Sequence, residues 1–170
     1  MMNDIKKLAE ELLTSSGITF LPVDVNKIAL DVKCEIFYMT PEQLPDDFKC
    51  KKDNFFNGAI IKKINEEKIN EETYYLIVNP RHLITRQRFT IAHEIGHVYL
   101  KHVDIIDCRE DIYTGDKNEQ DANDFAGNLL MPENWFLHMY KSVSVSESRL
   151  ANIFLVSEQA IKMRKKALGL

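Results

Sequence analysis

Residues 83–101 read LITRQRFTIAHEIGHVYLK, and from Thr85 onward they begin a helical period that the later segments of the chain take up again. Within this stretch, His93-Glu94-x-x-His97 sets two imidazoles four residues apart, hence on one face of a helix. Both rings can then reach one ion, while Glu94, one residue along, can hold a water bound to it. In a chain of 170 residues with five histidines, such a spacing arises by chance in roughly one sequence in a hundred. Taken alone, its plain reading is two histidines on a half-buried helix.

Working outward, EQDANDFAGNLL (119–130), PENWFLHMY (132–140) and two short segments near the end continue the helical pattern. Trp135, Phe136 and Met139 are expected in the core. Upstream, Ile5, Leu8, Ala9, Leu12 and Leu13 form the apolar stripe of a helix over 3–15. A short helix is expected over about 24–31 with Val25, Ile28 and Ala29 inward, and CEIFYM (34–39) reads as a strand. NGAIIK (57–62) and TYYLIVN (73–79) are strand-like runs on either side of a highly charged segment, which predicts a hairpin with a polar tip. Strands first and helices later predict an α+β fold with a small, mostly antiparallel sheet. The expected division is a main domain over 1–141 and a helical extension over 142–170 packed on it. Residues 102–118 show no clear period, as a functional or mobile loop would.

Twenty-two Lys and Arg against 26 Asp and Glu give a net charge of −4, and 45% of residues are hydrophobic. That is ordinary for one globular domain. At this length a core forms without a disulfide or structural metal, so a bound metal would serve chemistry. The pI near 5.7 argues against a surface built throughout for nucleic acid or an anionic membrane. No apolar run approaches the roughly 18 residues of a membrane span. The first residues lack the uncharged core and cleavage site of a signal peptide, which predicts a cytoplasmic protein with no membrane partner. Cys34, Cys50 and Cys108 are odd in number with no C-x-x-C spacing and are expected as free, partly buried thiols.

A catalytic zinc takes three protein ligands and keeps one exchangeable water, so a third ligand is needed. In EQDANDFAGNLLMP, Ala122, Phe125, Ala126, Leu129 and Leu130 form an apolar face, and Glu119 and Asn123, four apart, share the adjoining one. Glu119 can ligate the metal from there while Asn123 braces a ligand. Ala122, Ala126 and Gly127 are small enough for a close approach to the His93 helix. The alternative is that Glu119 merely complements the helix dipole.

A strand ending in VN, a linker, RQRFTIAHEIGH and E-x-x-A-N-x-F-A-x-x-L-L-M-P together resemble the ImmA/IrrE family of metallopeptidase-like proteins, over roughly residues 20–132. The resemblance implies a gluzincin-like, zincin-type domain with one zinc, or manganese, held by His93, His97 and Glu119. It makes Glu94 the general base and Asn123 a brace outside the ligand set. It further implies a hydrolase that cleaves a helix-turn-helix repressor protein and so induces mobile-element, phage or stress genes. The non-catalytic alternative is a metal-binding module that senses or sequesters a transcription factor. One departure is the histidine that follows the first motif in the family, expected near Lys101; here it is His102, a step off the ligand face and read as a surface residue. With two imidazoles and one carboxylate, the ion keeps a net positive charge, which lowers the pKa of its water toward ~7. Tyr99, His82, Arg81 and His138 are open candidates for stabilising the oxyanion, and spacing selects none of them. TYYLIVN could take an extended substrate if it lay at the sheet edge; otherwise it is a core strand.

The tail, SVSESRLANIFLVSEQAIKMRKKALGL (144–170) with flanking residues, carries a Ser144–Glu147 capping-box pattern and reads as a helix-turn-helix-like pair broken near Leu155. From Arg149 onward it holds five basic residues (Arg149, Lys162, Arg164, Lys165, Lys166) and one acid, Glu158. Direct DNA binding is disfavoured, because most of these charges also complement a helix C-terminus and Leu155 stands where such turns usually have glycine. A structural cap and a docking surface for the repressor are the other readings. Residue spacing does not fix the oligomeric state.

Overall fold

The computed structural model describes residues 2–44, 58–64, 72–102, 107–108, 117–142 and 146–170. Helix α1 (Met2–Ser15) forms along the predicted stripe, with Ile5, Ala9, Leu12 and Leu13 buried. It stops at Gly17, whose φ of +63° suits a residue without Cβ. Helix α2 (Val25–Asp31) starts at Asp24, whose carboxylate accepts from the backbone of Asn26 at 3.1 Å and Lys27 at 3.0 Å. Strand β1 (Cys34–Tyr38) and a single 3-10 turn (Pro41–Gln43) follow. Next come β2 (Gly58–Ile64), β3 (Glu72–Val78), α3 (Ile84–Tyr99) and the short β4 (Asp107–Cys108). Helices α4 (Lys117–Leu130), α5 (Glu133–Ser142), α6 (Glu147–Phe154) and α7 (Glu158–Ala167) complete the chain.

The α+β class holds, and the sheet is mixed: two pairings are antiparallel and one, unexpected, is parallel. Its order is β1-β3-β2-β4. β2 and β3 form the expected hairpin, antiparallel from Gly58↔Val78 to Ile64↔Glu72, whereas β1 joins β3 in parallel from Cys34↔Tyr74 to Tyr38↔Val78. The cause is the apolar character of β3. Leu76, Ile77 and Val78 are buried, which favours a central position with both edges paired. The hairpin fixes β2 on one side, and the chain between β1 and β3 is long enough to return to the starting end of β1. TYYLIVN is therefore not an edge, and the reading in which it receives substrate as a further strand is withdrawn. The expected polar tip falls mostly on residues 65–71, outside the described residues. The same is true of most of 102–118, apart from β4, which pairs with β2 through Ala59↔Cys108 and Ile60↔Asp107.

Helix α3 lies against β2 and β3, and α4 packs on α3 and α1. Phe125, Phe136, Phe154, Ile91, Ile95, Leu150 and Ile161 belong to one buried cluster, so α6 and α7 share the core with the rest of the described chain. Trp135 and Met139 pack against it, half-buried. Arg88, on α3, is buried and donates to the carbonyl of Val23 at 2.7 Å and to that of Leu155 at 3.3 Å. Leu155 closes α6 in the left-handed conformation at φ +52°, the place where such turns usually have glycine. The cap of α6 is Ser146, accepting from Arg149 N at 3.3 Å, not the predicted Ser144, because Glu147 is already the first helical residue. Ser144 lies outside the described residues. No helix among the described residues is long and apolar enough to cross a membrane.

Candidate metal centre

The close packing of α3 on α4 builds the site, and it depends on a residue whose role spacing did not disclose. A Cβ at Gly96 would stand 3.2 Å from Phe125 Cδ1 and 3.3 Å from the carbonyl oxygen of Ala122. A side chain at this position would push the two helices apart by a few tenths of an ångström, which glycine avoids. A glycine in mid-helix costs about 1 kcal/mol relative to alanine, and that unexplained cost inside the H-E-x-x-H stretch was the readable signal. Ala122 serves the contact as expected. Gly127 does not: a Cβ there would meet nothing within 4 Å.

At this crossing His93, His97 and Glu119 come together, all buried, with one ligand atom from each within 4.8 Å of the others. The two Nε2 atoms are 3.0 Å apart. Glu119 places one oxygen 3.4 Å from His93 Nε2 and the other 2.9 Å from His97 Nε2. Asn123, one turn on from Glu119, sets its Oδ1 3.1 Å from His93 Nδ1. With that oxygen accepting, Nδ1 carries the proton, which leaves the Nε2 lone pair available to an ion bound between the three side chains.

This donor set fits a zinc ion. Two nitrogens on a tetrahedral zinc with bonds of about 2.0–2.1 Å stand about 3.3 Å apart, close to the separations here. The electrostatics agree. Burial by itself would lower the His93 pKa, but the hydrogen bond to Glu119 and the charges of Glu94 and Glu119 outweigh it and raise the value. Burial by itself would raise Glu119, yet its hydrogen bonds with His93 and His97 hold it below the usual carboxylate range. A buried carboxylate thus stays ionised in front of two imidazoles, and the space they share favours a cation.

Glu94 is buried beside this cluster. Its charge acts on His93 and on Cys34 at the start of β1. Burial first, and then that charge, push the Cys34 thiol up to about 12, which keeps it protonated and inert. Cys34 is thus a free and fully buried cysteine; Cys50 and the Cys108 side chain lie outside the described residues. His102 departs from its expected surface position: it is half-buried, with its ring 5.5 Å from that of His97. Of the oxyanion candidates, Tyr99 packs on Phe125 at 5.6 Å and Arg81 pairs with Glu42 at 2.7 Å in solvent. His82 sits in the turn before α3, and His138 is exposed on α5.

An α+β domain that brings an H-E-x-x-H helix and the carboxylate of a following helix to one buried point has the architecture of a metallopeptidase. The chain belongs to the ImmA/IrrE family: the profile of a peptidase family described as the IrrE N-terminal-like domain matches residues 56–166. Among solved structures, the fold is similar to a Mycobacterium tuberculosis transcriptional regulator, with a TM-score of 0.59 and 17% sequence identity. The match covers 95% of this chain and 46% of the regulator, so this chain spans about half of that protein's length. At that identity the likeness concerns the fold. No curated protein matches the chain in sequence.

Proposed function

We propose that this protein is a zinc-dependent, site-specific endopeptidase whose substrate is a helix-turn-helix repressor, and that cleavage induces the genes the repressor holds silent. The observation that carries the reading is the convergence of His93, His97 and Glu119, with Glu94 on the same helix and Asn123 bracing His93. Family membership supports a peptidase, and the regulator with the similar fold is compatible with a role in transcription.

His93, His97 and Glu119 would hold the ion, with manganese as the second candidate. Once bound, zinc supplies a Lewis acid that activates water near neutral pH and polarises a carbonyl. The chain's own residues do the rest. The Glu94 carboxylate takes a proton from the attacking water and returns it to the departing amide nitrogen. Asn123 Oδ1 keeps the His93 proton on Nδ1, so that Nε2 remains a donor.

The test is to incubate the zinc-loaded protein and its Glu94→Gln variant with helix-turn-helix repressors from the same genome and to map fragments by mass spectrometry. A single cut by the wild type, slowed at least about 100-fold in the variant, is expected. Binding of a repressor by both proteins with no cut by either would instead establish a metal-binding module that sequesters a transcription factor.

A further inference from the structure

Helix α3 does not end where its ligand face ends. After Tyr99, Leu100 caps the helix and Lys101 turns left-handed at φ +59°, a conformation that disfavours any side chain with a Cβ. The turn is closed by two backbone bonds, Lys101 N to Val98 O at 3.1 Å and His102 N to His97 O at 2.8 Å. These are the paired bonds of a Schellman turn, formed here without glycine. The chain therefore folds back on the last turn of α3 and returns His102 to the side chain of the residue whose carbonyl it binds. The His102 ring meets the His97 ring edge to face, with centroids 5.5 Å apart and planes at 66°. His93 flanks the same ring at 4.7 Å and 76°. His97 thus contacts two rings, one of them supplied by this turn.

We propose that His102 is a positioning residue for the metal site: its ring fixes the His97 imidazole in the orientation that turns Nε2 toward His93 and Glu119. This rests on the reading of His93, His97 and Glu119 as metal ligands. His102 is not itself in that cluster; it acts through His97, by the shape and face of its ring. Outer contacts of this kind set ligand orientation and commonly change metal affinity 10–100-fold.

The test is zinc affinity, measured by chelator competition on the intact protein, for the wild type, His102→Ala and His102→Phe. The melting midpoint of each metal-free protein and the cobalt absorption spectrum of each loaded one accompany it. His102→Ala is expected to bind zinc about 10–100-fold more weakly, and His102→Phe, which restores a flat ring, to recover most of the loss with the wild-type cobalt spectrum. A merely structural residue would lower the metal-free midpoint in step with zinc affinity; here the affinity falls beyond what the midpoint accounts for. Should His102→Ala fail to fold, His102→Gln takes its place with the same expected loss. Wild-type affinity in the ringless variant overturns the proposal, as does a His102→Phe as weak as His102→Ala. A wild type that retains no zinc overturns the ligand assignment itself, and the positioning role falls with it.

Discussion

The α3–α4 crossing and the α6–α7 pair both gather charged side chains, and they balance them in opposite ways. In the C-terminal pair three cations, Lys162, Arg164 and Lys165, meet partners from this chain. Arg164 is buried and donates to Asn128 Oδ1 at 3.0 Å; burial lowers its pKa, and the charges of Glu133, Glu10 and Asp124 offset that in part. Lys165 pairs with Glu147 at 3.0 Å and lies 5.8 Å from the Tyr140 ring centroid, and Lys162 reaches Glu147 at 3.7 Å. At the crossing, two imidazole nitrogens and a carboxylate face one another with the acid Glu94 beside them. Charge balanced within the chain describes architecture, whereas donor atoms turned toward a common point describe a place for an ion from outside. Of the five basic residues of the tail, which in sequence resemble a nucleic-acid signal, Lys162, Arg164 and Lys165 have such partners within the chain.

The largest effect expected from this contrast is at Glu119. Glu119→Ala removes the carboxylate that the two histidines share and, on the proposed assignment of Glu119 as the third ligand, should weaken zinc binding by more than about 100-fold, beyond the loss of an outer contact. Metal content after dialysis checks it. Stoichiometric zinc in the variant would mean that the crossing is balanced internally too.

Arg88→Met comes next and breaks the tie between the two regions. It leaves the carbonyls of Val23 and Leu155 without their donor, at about 1–3 kcal/mol for each one left unsatisfied. A total loss of about 2–4 kcal/mol in urea unfolding is expected, the burial of a charge being relieved at the same time. An unchanged denaturation midpoint would show that the α6–α7 turn is held to α3 by packing alone.

Gly96→Ala sharpens the comparison because it should separate affinity from stability. The new methyl forces the Ala122 backbone away by a few tenths of an ångström, and Glu119 rides on the same helix. Better helix propensity, about 1 kcal/mol, offsets the overpacking of about 1–3 kcal/mol. Zinc affinity should therefore fall while the metal-free protein melts within a few degrees of the wild type. A proportional loss of both would show that α4 responds by local unfolding instead of displacement.

What sequence could show divides along the same physical line. The i,i+4 relations of His93 with His97 and of Glu119 with Asn123 follow from helical geometry, and the structure brings these residues to one point. The parallel pairing of β1 with β3 is non-local, and no period within either strand encodes its partner. The place of His102 turns on Lys101 adopting φ +59°, a conformation that residue type assigns to glycine or asparagine. Spacing counted along an unbroken helix consequently put His102 off the ligand face, when the helix had already ended.

The smallest effect belongs to Glu147, and its sign tests whether the tail is balanced as described. The hydrogen bond from Lys165, with the charges of Lys165 and Lys162, holds the Glu147 carboxyl below its ordinary value. A carboxylate depressed by folding contributes stability that is complete above its unfolded pKa, about 4.3, and is lost as pH falls through the lower folded value. Glu147→Gln should thus lower the melting midpoint slightly at pH 7, and the gap to the wild type should close as the pH drops below the unfolded value. Added salt should narrow the same gap at neutral pH, since the pair is open to solvent. A gap that persisted in acid would assign the effect to the packing of the side chain against α7. The charge on Glu147 would then have no part in joining α6 to α7.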